Sequence, residues 1–343
     1  MDDFYQAFEN KFRGDRQIIK DRLRVYLPFV ESLEKLYLDG SAIDLGCGRG
    51  EWLELLSENS GLALSGVDVS EAMLSIAREH ALPVELQDAL ACLGILPDES
   101  QSMVSGFHIA EHLPFSDLMV LVGEAYRVLQ PGGLLILETP NPENIIVGTV
   151  GFYMDPTHHQ PLPPDLLSFM ATYAGFYRSK IMRLQEPYDL NRHGVVTLLN
   201  VLDGVSPDYA VIAQKSAQPP LLAGFDSTFE KDYGLTLPDL ANKYSLQQAD
   251  WMARTEGNHQ ELKDSHQALK DSHQHLQRDY QASHQQLSHQ LQEGRIELEA
   301  RLQKIEIETA AALAREADLL SSKSWRYTRF LRVFVNFFRR GER

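Results

Sequence analysis

Between residues 41 and 138 short apolar runs alternate with stretches of helical period. The runs 42–45, 84–86, 103–107 and 134–138 read as strands, and the last, a buried one, follows a helix and a tight turn at Pro131-Gly132-Gly133. Such alternation predicts an α/β fold, a mostly parallel sheet covered on both faces. Pro163-Pro164 opens a helix that closes at Gly175, and 178–184 and 209–214 predict two final strands as a reversed hairpin. Before the sheet, Phe4, Phe8 and Phe12 and then Ile18, Ile19, Leu23, Tyr26 and Leu27 predict a helical cap over 1–38 that Pro28 divides. The α/β domain is expected over 39–216 and a linker over 217–245.

The pattern then changes period. From 246 to 320 there is no proline, and Leu262, Leu269 and Leu276 are spaced by seven. His259, His266, His273, Tyr280 and Leu287 make a second line at the same spacing, and Leu291, Leu298, Ile305, Ala312 and Leu319 a third after a slip near Gly294. Two apolar lines per heptad predict a coiled coil over 246–320, and through it a homo-oligomer. A solvated single helix and a disordered Gln/His tract are the competing readings. The histidines form a seam rather than a cluster, so no metal site is expected. In 321–343 seven basic residues face Glu342 alone, so the tail carries +6 and the rest of the chain −22. Trp325, Tyr327, Phe330, Leu331, Phe334, Phe337 and Phe338 interleave with those charges. A cationic helix rich in aromatics suits an anionic membrane interface, and a partner protein is the alternative occupant.

The net charge of −16 argues against nucleic-acid binding. Two cysteines argue against a disulfide framework. The acidic start lacks a signal core, and no run reaches the ~20 apolar residues of a membrane span, so a cytoplasmic protein is expected.

The candidate chemistry sits at the end of the first strand. Asp44-Leu45-Gly46-Cys47-Gly48-Arg49-Gly50-Glu51 is a glycine loop leading into a helix, and Asp68 follows Gly50 by 18 residues. Glycines let the backbone approach a ligand where a Cβ would clash. An acid at the tip of the next strand is placed to accept from ribose hydroxyls. The spacing falls between two cofactor patterns. A dinucleotide loop wants its third glycine where Glu51 stands. Arg13, Arg22 and Arg24 are candidates to pair with a cofactor carboxylate.

Gly-x-Gly-x-Gly preceded by Asp44 resembles motif I of class I S-adenosylmethionine-dependent methyltransferases. Gln87-Asp88-Ala89, His108-Ile109-Ala110-Glu111-His112-Leu113 and Arg127-Val128-Leu129-Gln130-Pro131-Gly132-Gly133 follow in that family's order. The resemblance implies a Rossmann-like methyltransferase domain with a seven-stranded sheet and S-adenosylmethionine as cofactor. It implies a cofactor site of Asp44, Gly46, Cys47, Gly48, Gly50, Asp68, Val69, Asp88, Ala89 and His108, joined by Arg13. If the acceptor is a hydroxyl a base must take its proton, and His112 with Glu111, then His158, are the expected catalytic residues.

The opening segment, Glu138-Thr139-Pro140-Asn141-Pro142-Glu143-Asn144, and the tail Ser322-Lys323-Ser324-Trp325-Arg326 are similar to methyltransferases of bacterial O-antigen and lipopolysaccharide assembly. The layout resembles O-antigen chain terminators without their kinase domain. That resemblance implies O-methylation of the non-reducing terminal sugar of a lipid-linked glycan, a polysaccharide glycosyltransferase or polymerase as partner, and a peripheral place on the cytoplasmic face of the inner membrane. At ~1.5 Å per residue, roughly 75 helical residues span on the order of 110 Å, enough for a glycan ruler. A nucleotide-sugar or small-metabolite methyltransferase and a non-catalytic scaffold for glycosyltransferases are the alternatives.

Overall fold

The structure is a computed structural model describing residues 14–191, 194–329, 331–333 and 335. The chain divides into two compact units, Met1–Met252 and Ala253–Arg343.

In the first unit, α1 (Arg16–Leu23) starts where the Asp15 carboxylate accepts from the Gln17 N–H. A 3-10 turn, Arg24–Tyr26, separates it from α2 (Leu27–Leu36), with Pro28 in the first turn where a missing N–H is tolerated. Then follow β1 (Ser41–Leu45), α3 (Glu51–Asn59), β2 (Ala63–Asp68), α4 (Glu71–Glu79), β3 (Val84–Leu86), α5 (Ala89–Ile95) and β4 (Gln101–Phe107). A 3-10 turn, Ala110–His112, precedes α6 (Phe115–Val128), β5 (Leu129–Pro140), α7 (Pro164–Ala174), β6 (Arg178–Leu184), α8 (Leu198–Asp203) and β7 (Asp208–Gln214).

The sheet order is β3-β2-β1-β4-β5-β7-β6. Strands β1 to β5 pair in parallel, and β7 runs antiparallel to both β5 and β6. The Pro-Gly-Gly turn lies inside β5 and slips the ladder between Gln101↔Leu129 and Met103↔Leu134. Gly132 there has φ +82°, which needs no Cβ.

Both faces are buried, as continuous apolar strands require. Leu135, Leu137, Val211 and Ala213 join α5, α6 and α7 in one core, while Leu134, Ile136, Ala210 and Ile212 join α2 and α3 in the other. The second core centres on Tyr26, Trp52 and Phe107, whose rings meet edge to face at 5.4–5.9 Å.

Residues 217–245 differ from the expected linker. They fold as α9 (Pro219–Leu222), α10 (Asp226–Glu230) and the start of α11 (Leu237–Ser321). Phe225 is fully buried in the second core, and Leu240 packs with Leu190, Val196, Val201 and Val205. Scattered Gly, Asp and Pro suggested a linker of mixed order, and burying one such aromatic contributes about 1.5–3 kcal/mol toward ordering the segment.

In the second unit α11 continues unbroken to Ser321, with Leu262, Leu269 and Leu276 exposed. Ser322 breaks it and caps α12 (Lys323–Tyr327) by accepting from the Trp325 N–H at 3.2 Å. The Arg332 guanidinium lies over the Trp325 ring. Phe330, Phe334, Phe337 and Phe338 of the expected apolar face, and residues 1–13 of the expected cap, lie outside the described residues. Among the described residues no helix is long and apolar enough to cross a membrane.

Candidate cofactor and methyl-transfer site

The strand order reverses between β1 and β4, and in open α/β sheets ligands bind at the carboxyl ends of the strands at that switch point. From β1 emerges the glycine loop. Gly46, Gly48 and Gly50 have φ of +66°, +54° and +80°, so each takes a left-handed turn that other residues adopt at a cost. A Cβ on Gly50 would lie 2.5 Å from Leu82 Cδ1. Asp68, at the tip of β2, ties the loop. Its Oδ2 accepts from the Gly48 N–H and its Oδ1 from the Ser70 N–H, both at 2.8 Å. A carboxylate has about four acceptor positions, so it retains capacity for ribose hydroxyls. Beside it Val69 is 73 % exposed and Leu86, on the next strand, 55 %. Large apolar side chains left open at a sheet edge fit the faces of a nucleobase. The residues present therefore fit a nucleoside.

The remaining sequence candidates fall around this loop in different capacities. Asp44 is buried beneath it and accepts from the Ser105 hydroxyl at 2.8 Å. The Cys47 side chain packs with Leu53, Leu74 and Leu82, and its backbone holds the loop's shape, the N–H donating to the Val67 carbonyl at 3.0 Å and the carbonyl accepting from the Gly50 N–H at 2.9 Å. Asp88 is exposed and caps α5 by accepting from the Ala91 N–H at 2.9 Å, while Ala89 turns into the core. Arg13 lies outside the described residues, and Arg24 pairs with Asp21 at 3.2 Å. The arginine on the loop is one the sequence reading missed. Arg16 donates to the Arg49 carbonyl at 2.8 Å and to Glu54 at 2.6 Å. Lys20, one turn on, donates to Glu54 and Glu58 at 2.8 and 2.6 Å. The signal was available: a basic pair four residues apart in α1 matches an acidic pair four apart in α3.

From β4 comes His108, in the left-handed region at φ +56°, a conformation that costs a non-glycine residue free energy. Its Nδ1 lies 3.1 Å from Glu111 and its Nε2 3.6 Å from Glu138. Burial works against its charge, but the hydrogen bonds to these carboxylates win and hold its pKa well above the ordinary histidine value. Glu111 is buried, and it also accepts from the Thr139 hydroxyl at 2.8 Å. Burial and the neighbouring Glu138 and Glu111 push Asp208 up to about 6, against the pull of His108 and Arg22. Glu138 is held from below by the Tyr26 hydroxyl, which donates to it inside the core. Tyr26→Phe leaves that buried acceptor short of a donor and is expected to cost about 1–3 kcal/mol, read as a lower urea midpoint at unchanged slope. An unchanged midpoint would show that this hydroxyl does not hold the carboxylate.

His112 ends the 3-10 turn. The hydrogen bonds of Glu111 go to His108 and Thr139, while its carboxylate stays within 4.8 Å of a His112 ring nitrogen and acts on it through charge alone. His112 Nδ1 lies 2.8 Å from the Thr157 hydroxyl oxygen, in the loop after β5. The same loop brings His158 to it, ring centroids 4.7 Å apart, with His158 Nδ1 donating to the Phe152 carbonyl at 2.6 Å. Burial lowers the His112 pKa, and His158 and His108 add to this while Glu111 and Asp155 oppose it.

A glycine loop, an acid at the tip of β2 and imidazoles at the ends of β4 and β5 define a doubly wound nucleotide-binding enzyme domain. Residues 42–133 match the family profile described as a methyltransferase domain. The chain aligns at 33 % identity and TM-score 0.54 with the crystal structure of a SAM-dependent methyltransferase from Archaeoglobus fulgidus, covering 62 % of this chain and 100 % of that one. It is 30 % identical over 134 residues to a probable S-adenosylmethionine-dependent methyltransferase of Mycolicibacterium smegmatis, 39 % of this chain and 51 % of the relative. It is 33 % identical over 122 residues to a ubiquinone biosynthesis O-methyltransferase of Idiomarina loihiensis, 34 % of this chain and 49 % of the relative. The chain thus spans about half the length of these two curated relatives. It belongs to the S-adenosylmethionine-dependent methyltransferases, and S-adenosylmethionine is the cofactor of its α/β domain.

Proposed function

We propose that this protein transfers a methyl group to a hydroxyl oxygen, with His112 as the base and a lipid-linked glycan's terminal sugar as the acceptor. The observation that carries the O-methyl reading is the contrast between two histidines four residues apart. His108 sits between Glu111 at 3.1 Å and Glu138 at 3.6 Å, which favour its charged form, whereas His112 faces the Thr157 hydroxyl and the His158 ring and burial lowers its pKa, as suits a base that must start neutral. S-adenosylmethionine supplies the activated methyl group when bound. With the cofactor bound, His112 Nε2 would take the proton that the acceptor hydroxyl gives up on methylation. Asp68 and the glycine loop orient the nucleoside, Asp88 takes the adenine amino group, and His158 borders the acceptor.

The sugar acceptor is supported by two features of the second unit. Exposed leucines along α11 ask for partner helices, so a homo-oligomeric coiled coil fits them. The cationic aromatic tail fits an anionic membrane surface at about 1 kcal/mol per basic residue. A second reading, a small hydroxylated acceptor, is favoured by the name of the Idiomarina loihiensis relative, an O-methyltransferase of ubiquinone biosynthesis. Purified full-length protein, given methyl-labelled cofactor and a panel of lipid-linked glycans, nucleotide sugars and dihydroxylated aromatics, tests both. Label on the glycans alone is the expected result, and label on the aromatics alone would replace the sugar by the small acceptor. Removing residues 323–343 is expected to release the protein from anionic vesicles, and retained binding would sink the membrane role of the tail.

A further inference from the structure

We propose that Asp155, acting through the hydroxyl of Thr157, is the positioning residue of this site and fixes His112 in the tautomer whose Nε2 carries the lone pair. The functional role rests on the reading of His112 as base, while the geometry stands without it.

The argument is a count of protons. A threonine hydroxyl has one hydrogen and can donate once. That of Thr157 lies 2.6 Å from Asp155 Oδ1 and 2.8 Å from His112 Nδ1. Asp155 Oδ1 also accepts from the Thr157 backbone N–H at 2.8 Å, and the residue is only 7 % exposed. A carboxylate in its charged form accepts and never donates, so the hydroxyl hydrogen goes to Asp155. Its oxygen then faces His112 as an acceptor, and His112 Nδ1 must bring the proton. In a neutral imidazole the other nitrogen is bare. Burial favours that neutral ring, with His158 and His108 acting in the same direction and Glu111 and Asp155 against it.

Among the described residues the hydrogen bond of His112 Nδ1 is to Thr157, at 2.8 Å. Glu111, whose carboxylate lies within 4.8 Å, directs its hydrogen bonds to His108 and Thr139. His158 spends its own Nδ1 proton on the Phe152 carbonyl. An acid that sets the tautomer of a catalytic imidazole is a general device of base catalysis, and here a hydroxyl stands between the two. After proton transfer the imidazolium keeps its Nδ1–H bond to Thr157, with the Asp155 charge one bond further on. The arrangement also explains why Asp155 is buried in a loop, where an unpaired carboxylate would be costly.

Nitrogen-15 NMR of the full chain, saturated with S-adenosylhomocysteine, reads the tautomer directly. Wild type is expected to show His112 protonated on Nδ1, Thr157→Val to move the proton toward Nε2, and Thr157→Ser to restore it. With the acceptor found by the panel, Thr157→Val should lose about tenfold in kcat at unchanged KM, and Thr157→Ser should recover it. A wild-type ring protonated on Nε2, or a tautomer indifferent to Thr157→Val, would overturn the proposal. Tautomer shifts as expected with kcat unaltered would confirm the positioning and remove His112 from the role of base.

Discussion

Replacing Asp68 with alanine is expected to weaken S-adenosylhomocysteine binding by about 2–4 kcal/mol, on the order of 30- to 1,000-fold in Kd. Two losses combine. The first is direct: the carboxylate that would accept from the ribose hydroxyls is gone, and hydrogen bonds to a charged acceptor contribute about 1.5–3 kcal/mol each. The second is indirect. Asp68 also accepts from the Gly48 and Ser70 N–H groups, and without it the loop that makes close approach possible loses its tie to β2. Asp68→Asn separates the two. An amide keeps one oxygen, so it can hold one of these donors but not both sides of the site. About a tenfold loss is expected for asparagine, between wild type and alanine. Isothermal calorimetry checks the series, and circular dichroism confirms that the sheet is retained. Equal affinity in all three proteins would mean that the nucleoside does not sit over this loop.

The parts of the fold legible in the sequence were those written locally. Pro163-Pro164 and Gly175 marked α7 because proline's fixed φ and glycine's left-handed freedom act on their own residues. The glycine loop and Asp68 were legible for the same reason, and β1 because a buried strand is a short apolar run, whereas β3, of which Glu85 and Leu86 are exposed, showed only as an apolar-polar-apolar triplet. What depended on distant residues was not. Asp208 opens β7, yet it meets His108 only because β7 inserts antiparallel beside β5, where Asp208 pairs with Pro140. The positive φ of His108 is set by the turn out of β4, and although histidine enters that region more readily than most residues, the residue type alone does not mark the position. Thr157 and Asp155 lie in the irregular segment after β5, and the histidine they hold lies 45 residues before Thr157. Glu111 misled for a simpler reason. Adjacency in sequence suggested a partner for His112, whereas in the turn Glu111 faces His108, three residues back. The packing of Phe225 was hidden because one aromatic among Gly, Asp and Pro makes no period.

His112→Gln is expected to lower kcat by about 10²- to 10⁴-fold, the usual contribution of a positioned base, with cofactor affinity unchanged. The pH dependence says which proton matters. A base works only when deprotonated, so the rate should rise with pH through the His112 pKa and level off above it. Burial and the neighbouring His158 place that rise below the ordinary histidine value of about 6.5. His108 contributes with the opposite sign. Its folded pKa is raised above the unfolded value by Glu111 and Glu138, so the stability it confers is fully present below about 6.5 and is lost as pH climbs through the folded value. The two residues can therefore be told apart without a structure. His112→Gln should abolish the acidic limb of the kcat profile and leave the alkaline fall in melting temperature. His108→Gln should remove that alkaline fall and leave the acidic limb in place. If the acidic limb survives in His112→Gln, the titrating base is another group, and His158, packed edge-on against the same ring, becomes the residue to vary next.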